Sequence, residues 1–134
     1  TLTASYKDYG RPASLRVVTL TWMASDAGNV VCVLPDLFGS IERIVTNPSS
    51  NAPSDDYDIT WTDEDGADLF ATLGGNRDQT NTEQFCPKIG NGTGVNGVTS
   101  LTGSSSPVIA GTSTLTISNA GDANEGVIRI YLKR

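Results

Sequence analysis

The chain contains no histidine among its 134 residues. This absence removes the side chain that most often acts as a general base or zinc ligand near neutral pH, and it excludes Ser-His-Asp and Cys-His nucleophilic sites. A phosphate-binding GxxxxGK(S/T) loop is also missing, and the glycines at 90–94 lack the strand-then-helix setting of a dinucleotide site. Paired carboxylates are the only remaining route to catalysis, and we expect that the protein is not an enzyme.

Basic residues are also scarce, with nine Lys and Arg against fifteen Asp and Glu and a net charge of −6. They are scattered along the chain, so they form no basic stripe that could displace counterions from nucleic-acid phosphates. No apolar run approaches the length that crosses a bilayer. We therefore expect no direct nucleic-acid binding and no membrane association. The acidity favours solubility and, secondarily, contact with a basic partner.

Cysteine is rare, and the two cysteines, Cys32 and Cys86, lie in separate apolar segments without the spacing of metal ligands. One disulfide between them and two buried free thiols are both compatible with the sequence. We favour free thiols, because an unpaired cysteine behaves as a small hydrophobic core residue. Neither interpretation implies a cofactor, and we predict none.

What the sequence does contain is alternation of apolar and polar residues, which is the period of a half-buried β-strand. The clearest segments are 15–23, 57–62, 112–118 and 127–132, and weaker ones cover 29–34, 40–46 and 83–89. Turn residues after the first segment make 29–34 a return strand. The segments 112–118 and 127–132, with a Gly- and Asn-containing turn between them, predict a closing hairpin.

These segments predict an all-β fold, a single antiparallel β-sandwich of jelly-roll-like or Ig-like type over residues 15–134. Residues 67–73 have helical spacing and allow at most one short helix. The Gly- and Ser-rich stretch 90–106 predicts an exposed loop with a weak strand near 98–101. Residues 1–14 lack strong alternation, so we expect an N-terminal arm whose order depends on a neighbour.

An acidic stretch follows the strand at 57–62, and Asp63, Asp65 and Asp68 within it form a weak candidate calcium site. The spacing of an EF-hand loop is absent there, because Gly66 directly follows Asp65. The same carboxylates could form a glycosidase-type pair, but charged residues on a strand and its turn usually form a solvated face. We therefore predict no metal and no catalytic residues.

Four large aromatic residues, Trp22, Tyr57, Trp61 and Phe70, either form a sugar-stacking platform or belong to the core, and alternating strands favour the core. We expect four residues to contact a partner, because aromatic and Arg side chains are enriched at protein interfaces: Tyr6, Tyr9, Arg11 and Arg77.

Several segments resemble small structural proteins encoded with the head and neck components of tailed bacteriophages. They are YDIT at 57–60, DEDGADL at 63–69, GNR at 75–77, VTLTW at 18–22 and the closing stretch 115–131. The resemblance implies a virion structural protein, foremost a capsid decoration or cement protein that binds the assembled shell. It implies no catalytic residues.

The resemblance also implies which partners the protein binds and where it is located. The partners would be the major capsid protein or other virion subunits, together with further copies of the chain in a symmetric homo-oligomer. The location would be the virion, assembled in the host cytoplasm. Neck, collar or tail-adaptor positions are the nearest alternatives. A carbohydrate-binding or adhesin module, displaying 90–106 and an aromatic face, is an alternative from another class.

Overall fold

The computed structural model describes residues 1–90, 94–95, 98–99 and 104–134, with only the backbone of 94–95 and 98–99. Within these residues the chain is all-β, and no helix that could cross a membrane is found there. The strands are β1 Leu2–Tyr9, β2 Leu15–Met23, β3 Val30–Pro48, β4 Asp58–Thr62, β5 Glu83–Phe85, β6 Ile89–Gly90, β7 Gly94–Val95, β8 Val98–Thr99, β9 Ser104–Ser105, β10 Val108–Ser118 and β11 Glu125–Lys133.

Seven of these strands form one antiparallel sheet in the order β1-β2-β11-β3-β10-β4, with β5 beside β3. Strand β3 is 19 residues long. Its N-terminal half pairs with β10, whereas its C-terminal half pairs with β11 on one side and β5 on the other. The sheet therefore folds over at β3 into two layers, β1-β2-β11-β3-β5 and β3-β10-β4. This arrangement confirms the predicted β-sandwich.

The bend in β3 lies at residues 35–40, where three backbone features coincide. Asp36 adopts a positive φ of 53°, and Gly39 has a φ of 134°. A Cβ on Gly39 would lie 2.5 Å from the carbonyl oxygen of Lys133, so only glycine lets β3 and β11 approach so closely here. On the facing strand, the register with β3 shifts between Gly111 and Ser113. A shift of this kind bends a strand and increases its twist.

The core fills the space between the two layers. The inward positions predicted from alternation are confirmed as buried: Val18, Leu20, Trp22, Tyr57, Ile59, Trp61, Leu115, Ile117, Ile128, Ile130 and Leu132. The ring centroids of Trp22 and Tyr57 are 5.7 Å apart, and those of Trp61 and Phe70 are 5.6 Å apart. All four large aromatics are therefore core residues, and the sugar-platform interpretation of them is wrong.

The pairing of the strands differs from the prediction at both proposed hairpins. Strands β10 and β11 do not pair with each other, because β3 runs between them in the sheet order. Strand β2 likewise pairs with β1 and β11, whereas the first half of β3 pairs with β10. The alternation correctly placed the apolar faces of β2, β4, β10 and β11. It could not distinguish a hairpin within one layer from a crossing between two layers, because both arrangements bury the same face.

Residues 67–73 form turns and not the short helix that the sequence allowed. The carboxylate of Asp68 accepts hydrogen bonds from the backbone N–H groups of Phe70 and Thr72, at 3.0 and 2.7 Å. Ala71 and Thr72 adopt left-handed φ angles of 51° and 66°. An aspartate that binds nearby backbone N–H groups stabilises a turn in competition with a helix.

The first fourteen residues, predicted as an arm, include strand β1. All eight residues of β1 pair with β2, from Leu2 opposite Trp22 to Tyr9 opposite Leu15. Pairing with β2 therefore orders this segment, and no neighbouring molecule is needed. Its weak alternation has a simple reason: β1 is at the end of the strand order, and most of its side chains are exposed.

Both cysteines are free thiols, as the favoured interpretation predicted. They are not deeply buried, however, because Cys86 is exposed and Cys32 is only partly covered. The predicted loop 90–106 falls mostly outside the described residues. Within it the structure describes β7 and β8, which pair with each other, and β9, which pairs with β6.

Candidate interaction surfaces

The acidic stretch after β4 holds its own backbone in place. The Asp63 carboxylate accepts hydrogen bonds from the N–H groups of Asp65 and Ala67, at 3.0 and 2.9 Å. The Glu64 carboxylate reaches across to the N–H of Thr112 at 3.0 Å. Among the described residues, no group of three or more Asp, Glu, Cys or His side chains is placed to hold a metal ion. Of the candidate calcium ligands Asp63, Asp65 and Asp68, Asp63 therefore stabilises the turn that contains Asp65, and Asp68 stabilises the turn that follows.

Arg77 is engaged within its own loop. Its Nε and Nη2 donate hydrogen bonds to the carbonyl oxygen of Gly75, at 3.1 and 2.9 Å. Its Nη1 lies 3.5 Å from a carboxylate oxygen of Glu83, and the guanidinium carbon lies 5.3 Å from the ring centroid of Phe85. These contacts connect the loop after β4 to β5. The role predicted for Arg77, contact with a partner, stays a prediction.

One end of the sandwich carries a cluster of charged side chains around Asp8. The Asp8 carboxylate accepts hydrogen bonds from Arg16 Nε and Nη2, at 2.7 and 3.0 Å, and Arg134 Nη1 lies at 3.5 Å. The hydrogen bond from Arg16 lowers the pKa of Asp8 below its ordinary value. The Arg16 guanidinium lies 5.7 Å from the ring centroid of Tyr6, which borders a shallow depression with Pro35. This cluster joins β1 and β2 to the end of the chain.

A groove of about 450 Å³ lies on the outer face of the larger layer. The strand register places its residues side by side, with Tyr9 opposite Leu15 on β2 and Val17 opposite Tyr131 on β11. The groove is lined by Lys7, Tyr9, Leu15, Val17, Thr19, Arg129 and Tyr131. Tyr9 was predicted as a contact residue, and the structure places it in the groove.

The rim of this groove is cationic. Lys7 Nζ lies 5.0 Å from the ring centroid of Tyr9, and the guanidinium carbon of Arg43 lies 4.1 Å from that of Tyr131. On the same face, at paired strand positions, Arg129 and Lys133 add two further cations and Glu125 adds an acid, and Glu42 lies beside Arg43 at the register shift opposite Tyr131. Because the whole chain has a net charge of −6, this face is positive on an otherwise acidic domain.

The four predicted contact residues do not form one patch. Tyr6 and Tyr9 lie on opposite faces of β1, because side chains alternate along a strand. Arg11 is exposed in the turn after β1. Arg77 bridges to Tyr57 beside β4, at the other end of the strand order. Sequence reasoning missed Arg43 and did not join Tyr131 to Tyr9, because their meeting depends on which strands pair.

The edges of the main sheet differ in how they are covered. The outer edge of β4 is covered by the chain that follows it: Ile59 N–H donates to the Gly74 carbonyl at 2.8 Å, and Leu69 N–H donates to the Trp61 carbonyl at 2.7 Å. The N-terminal part of β3, by contrast, has no partner on its outer edge among the described residues. Its Val31 and Val33 are 67% and 59% exposed.

Fold and surface together define a β-sandwich with two notable exposed features: a cationic aromatic groove and, in the part of the chain that the structure describes, an uncovered strand edge. Comparison with known proteins adds little to this description. No family model matches the chain, and no curated protein matches it in sequence. A solved structure titled as that of infectious bursal disease virus, Gx strain, matches with a TM-score of 0.33 and 10% sequence identity.

That match covers 99% of this chain and 31% of the viral chain, so this chain spans about a third of the other's length. At such a TM-score the likeness carries no argument about function. The resemblance to tailed-phage structural proteins stays a prediction.

Proposed function

We propose that this chain is a structural protein of a virion, and that it is a decoration or cement protein bound to an assembled capsid shell. In this proposal the protein acts by binding and not by catalysis. The observation that carries it is the cationic groove with Tyr9 and Tyr131 on one face of an acidic sandwich. Tyr and Arg are enriched at protein interfaces, where they serve as anchors.

The proposed partner is an acidic surface of the major capsid protein or of another virion subunit, reached during assembly in the host cytoplasm. A groove of this size makes a modest contact, but many copies on a symmetric shell multiply a modest affinity. The rigid sheet suits such a joint, because interface backbones that move little lose little conformational entropy on binding. The resemblance in sequence favours decoration, with neck, collar or tail-adaptor positions as variants of the same role.

The test is incorporation into purified virions encoded by the same genome, measured as copies per particle by quantitative mass spectrometry. Arg129→Glu should reduce the copies per particle at least about tenfold, because it reverses a charge at the rim of the groove. Lys88→Glu is the matched control, since Lys88 is exposed and lies outside the groove. Its incorporation should equal that of the unmodified protein.

Two outcomes would contradict the proposal. If purified virions lack the unmodified protein, the virion role is wrong. If Arg129→Glu and Lys88→Glu are incorporated equally well, the groove is not the surface that binds the capsid shell. Deletion of the first eleven residues would be a poor test, because it removes β1 from the sheet.

A carbohydrate-binding or adhesin module remains the second candidate, because Tyr9 and Tyr131 line one groove and sugars stack on aromatic rings. The cations near both rings, Lys7 at 5.0 Å and Arg43 at 4.1 Å from the ring centroids, compete for those stacking surfaces. A glycan array distinguishes the two functions. Selective glycan binding that Tyr131→Ala abolishes would favour the carbohydrate module over the virion protein.

A further inference from the structure

The first five residues of β3, Val30–Leu34, form an edge of the smaller layer, which we call the β3 edge. Their inner partner is β10, with Val31, Cys32 and Val33 opposite Thr116, Leu115 and Thr114. Among the described residues no strand pairs with their outer side. In the part of the chain that the structure describes, the backbone groups on that side therefore have no strand partner and can pair with another strand.

The β3 edge lacks the features that usually prevent pairing between molecules. Proteins guard exposed edges with charged residues, proline, bulges, short strands or a covering loop. In the described part of the main sheet, β1 carries Lys7 and Asp8, β5 is only three residues long, and the outer side of β4 is covered by its own loop. The β3 edge is uncharged throughout, and its outward side chains, Val31 and Val33, are 67% and 59% exposed.

We propose that the β3 edge pairs with the same edge of a second copy of this chain. The pairing is antiparallel about a two-fold axis at Cys32, so that Val31 faces Val33 and Val30 faces Leu34 of the other copy. The sequence around Cys32 is symmetric in its chemistry, as an isologous interface requires. No charge has to leave water in this pairing, and Val–Val cross-strand pairs stabilise antiparallel strands. A charged partner strand would find no counter-charge here.

The pairing would also complete surfaces that one copy leaves partly open. Cys32 lies on the inner side of the edge and is packed against the core while partly exposed. A second strand beside it would extend the cover of the core. On the outer side, Val31 and Val33 continue a face formed by Thr114 and Thr116 on β10, so the joined layers would form one sheet of six strands.

Cross-linking through Cys32 tests the register directly. Residues directly opposite in an antiparallel pair have Cα atoms about 4.5–5.5 Å apart, which is within the range of a disulfide. In a Cys86→Ser protein, copper-phenanthroline should therefore produce a disulfide-linked dimer, with each thiol losing one hydrogen and the oxidant accepting two electrons. Non-reducing electrophoresis and peptide mass spectrometry identify the Cys32–Cys32 bond. The reciprocal Cys32→Ser protein, which keeps Cys86, should give no disulfide-linked dimer on the same gel.

Charged substitutions at the β3 edge test the contact without a cross-linking reaction. Analytical ultracentrifugation over a concentration series should show reversible dimers of the unmodified protein. Val31→Lys with Val33→Lys should weaken dimerisation, and the yield of the Cys32 cross-link, at least about tenfold, because like charges would face each other. Thr60→Lys is the matched control: it is exposed on the same face, but on β4, whose outer side is covered. Circular dichroism confirms that each variant is folded.

Salt separates this contact from the cationic groove. Pairing of uncharged strands should persist in 0.5 M NaCl, whereas charge-dependent docking in the groove is screened. The inference is overturned if the unmodified protein is monomeric at all concentrations, which would leave the edge to a strand of another protein. It is also overturned if the double-Lys variant dimerises like Thr60→Lys. Neither result bears on incorporation into virions. The proposed dimer can therefore be wrong while the proposed function is right, and the reverse also holds.

Discussion

The buried hydroxyl of Ser113 connects three strands of the smaller layer. Ser113 is 2% exposed, and its Oγ accepts a hydrogen bond from Trp61 Nε1 at 2.8 Å. The same hydroxyl lies 3.5 Å from the carbonyl oxygen of Leu34, toward which it donates. One oxygen thereby joins β4, β10 and β3 beside the register shift in β10. Ser113→Ala would leave the N–H of a fully buried Trp61 without a partner.

A buried donor that loses its partner costs about 1–3 kcal/mol. We therefore expect Ser113→Ala to lower the free energy of unfolding by about 2 kcal/mol, and Tm by about 8 °C in a domain of this size. Urea denaturation followed by tryptophan fluorescence measures the first quantity, and calorimetry measures the second. Ser118→Ala is the control with the same chemical change, because Ser118 is half-buried at the end of the same strand. It should cost no more than about 0.5 kcal/mol.

A double-mutant cycle with Trp61→Phe decides whether the hydrogen bond is responsible. Phenylalanine has no N–H, so Ser113→Ala should cost at least about 1 kcal/mol less in the Trp61→Phe background. If Ser113→Ala costs the same in both backgrounds, the loss comes from packing and the reasoning is refuted. If Ser113→Ala alone is neutral, the buried N–H finds another partner and the reasoning also fails.

Three further predictions concern the rest of the fold. Gly74→Ala should cost about 1–3 kcal/mol in urea denaturation, because its Cβ would overlap the Ile59 carbonyl oxygen where the chain covers β4. Burial raises the pKa of Tyr57 to about 12, so stability present below pH 10 should fall as the pH rises toward 12, and Tyr57→Phe should lose this dependence. The hydrogen bond from Arg16 lowers the pKa of Asp8. The ionised Asp8 therefore stabilises the fold above about pH 4, and this stabilisation is lost in stronger acid. Between about pH 5 and 2 the urea midpoint should change less for Asp8→Asn than for the unmodified protein.

Each of these three predictions has its own control. Gly75→Ala matches Gly74→Ala, because a Cβ at Gly75 would make an ordinary contact with Asp58 at 3.4 Å; equal losses from both would contradict the close-approach argument. If the alkaline transition is unchanged in Tyr57→Phe, the transition comes from the more exposed tyrosines and not from Tyr57. An acid transition that is unchanged in Asp8→Asn would show that the Asp8–Arg16 contact does not survive in solution.

The sequence pattern could not predict the cationic groove, because the groove depends on which strands are neighbours. Arg129 and Tyr131 alternate with the apolar residues of 127–132, and in the structure they lie on the face opposite the buried Ile128, Ile130 and Leu132. That these residues form a groove with Tyr9 depends on β11 lying beside β2 and β2 beside β1. The pairing of β2 with β11 joins residues more than 100 positions apart, and a local pattern carries no information on such distances.

The N-terminal strand illustrates a second limit. Most side chains of β1 are exposed, so the apolar alternation that identifies a half-buried strand is nearly absent. Its place in the sheet is decided by backbone hydrogen bonds to β2 and by the Asp8–Arg16 pair. Residues 67–73 show the reverse case: the spacing of Leu69, Phe70 and Leu73 suits a helix, but Asp68 binds the backbone as a turn.

The sequence by itself determined the class of fold, because the period of two fixes which face of each strand is apolar and therefore buried. It also determined that none of the chain's own side chains is an imidazole. Only the tertiary structure decided which strands are neighbours, and with them the cationic groove and the uncovered β3 edge. The physical reason is that burial of an apolar face is non-directional, whereas strand pairing is set by hydrogen bonds and close backbone contacts, such as the one between Gly39 and Lys133, that form only when the whole chain is folded.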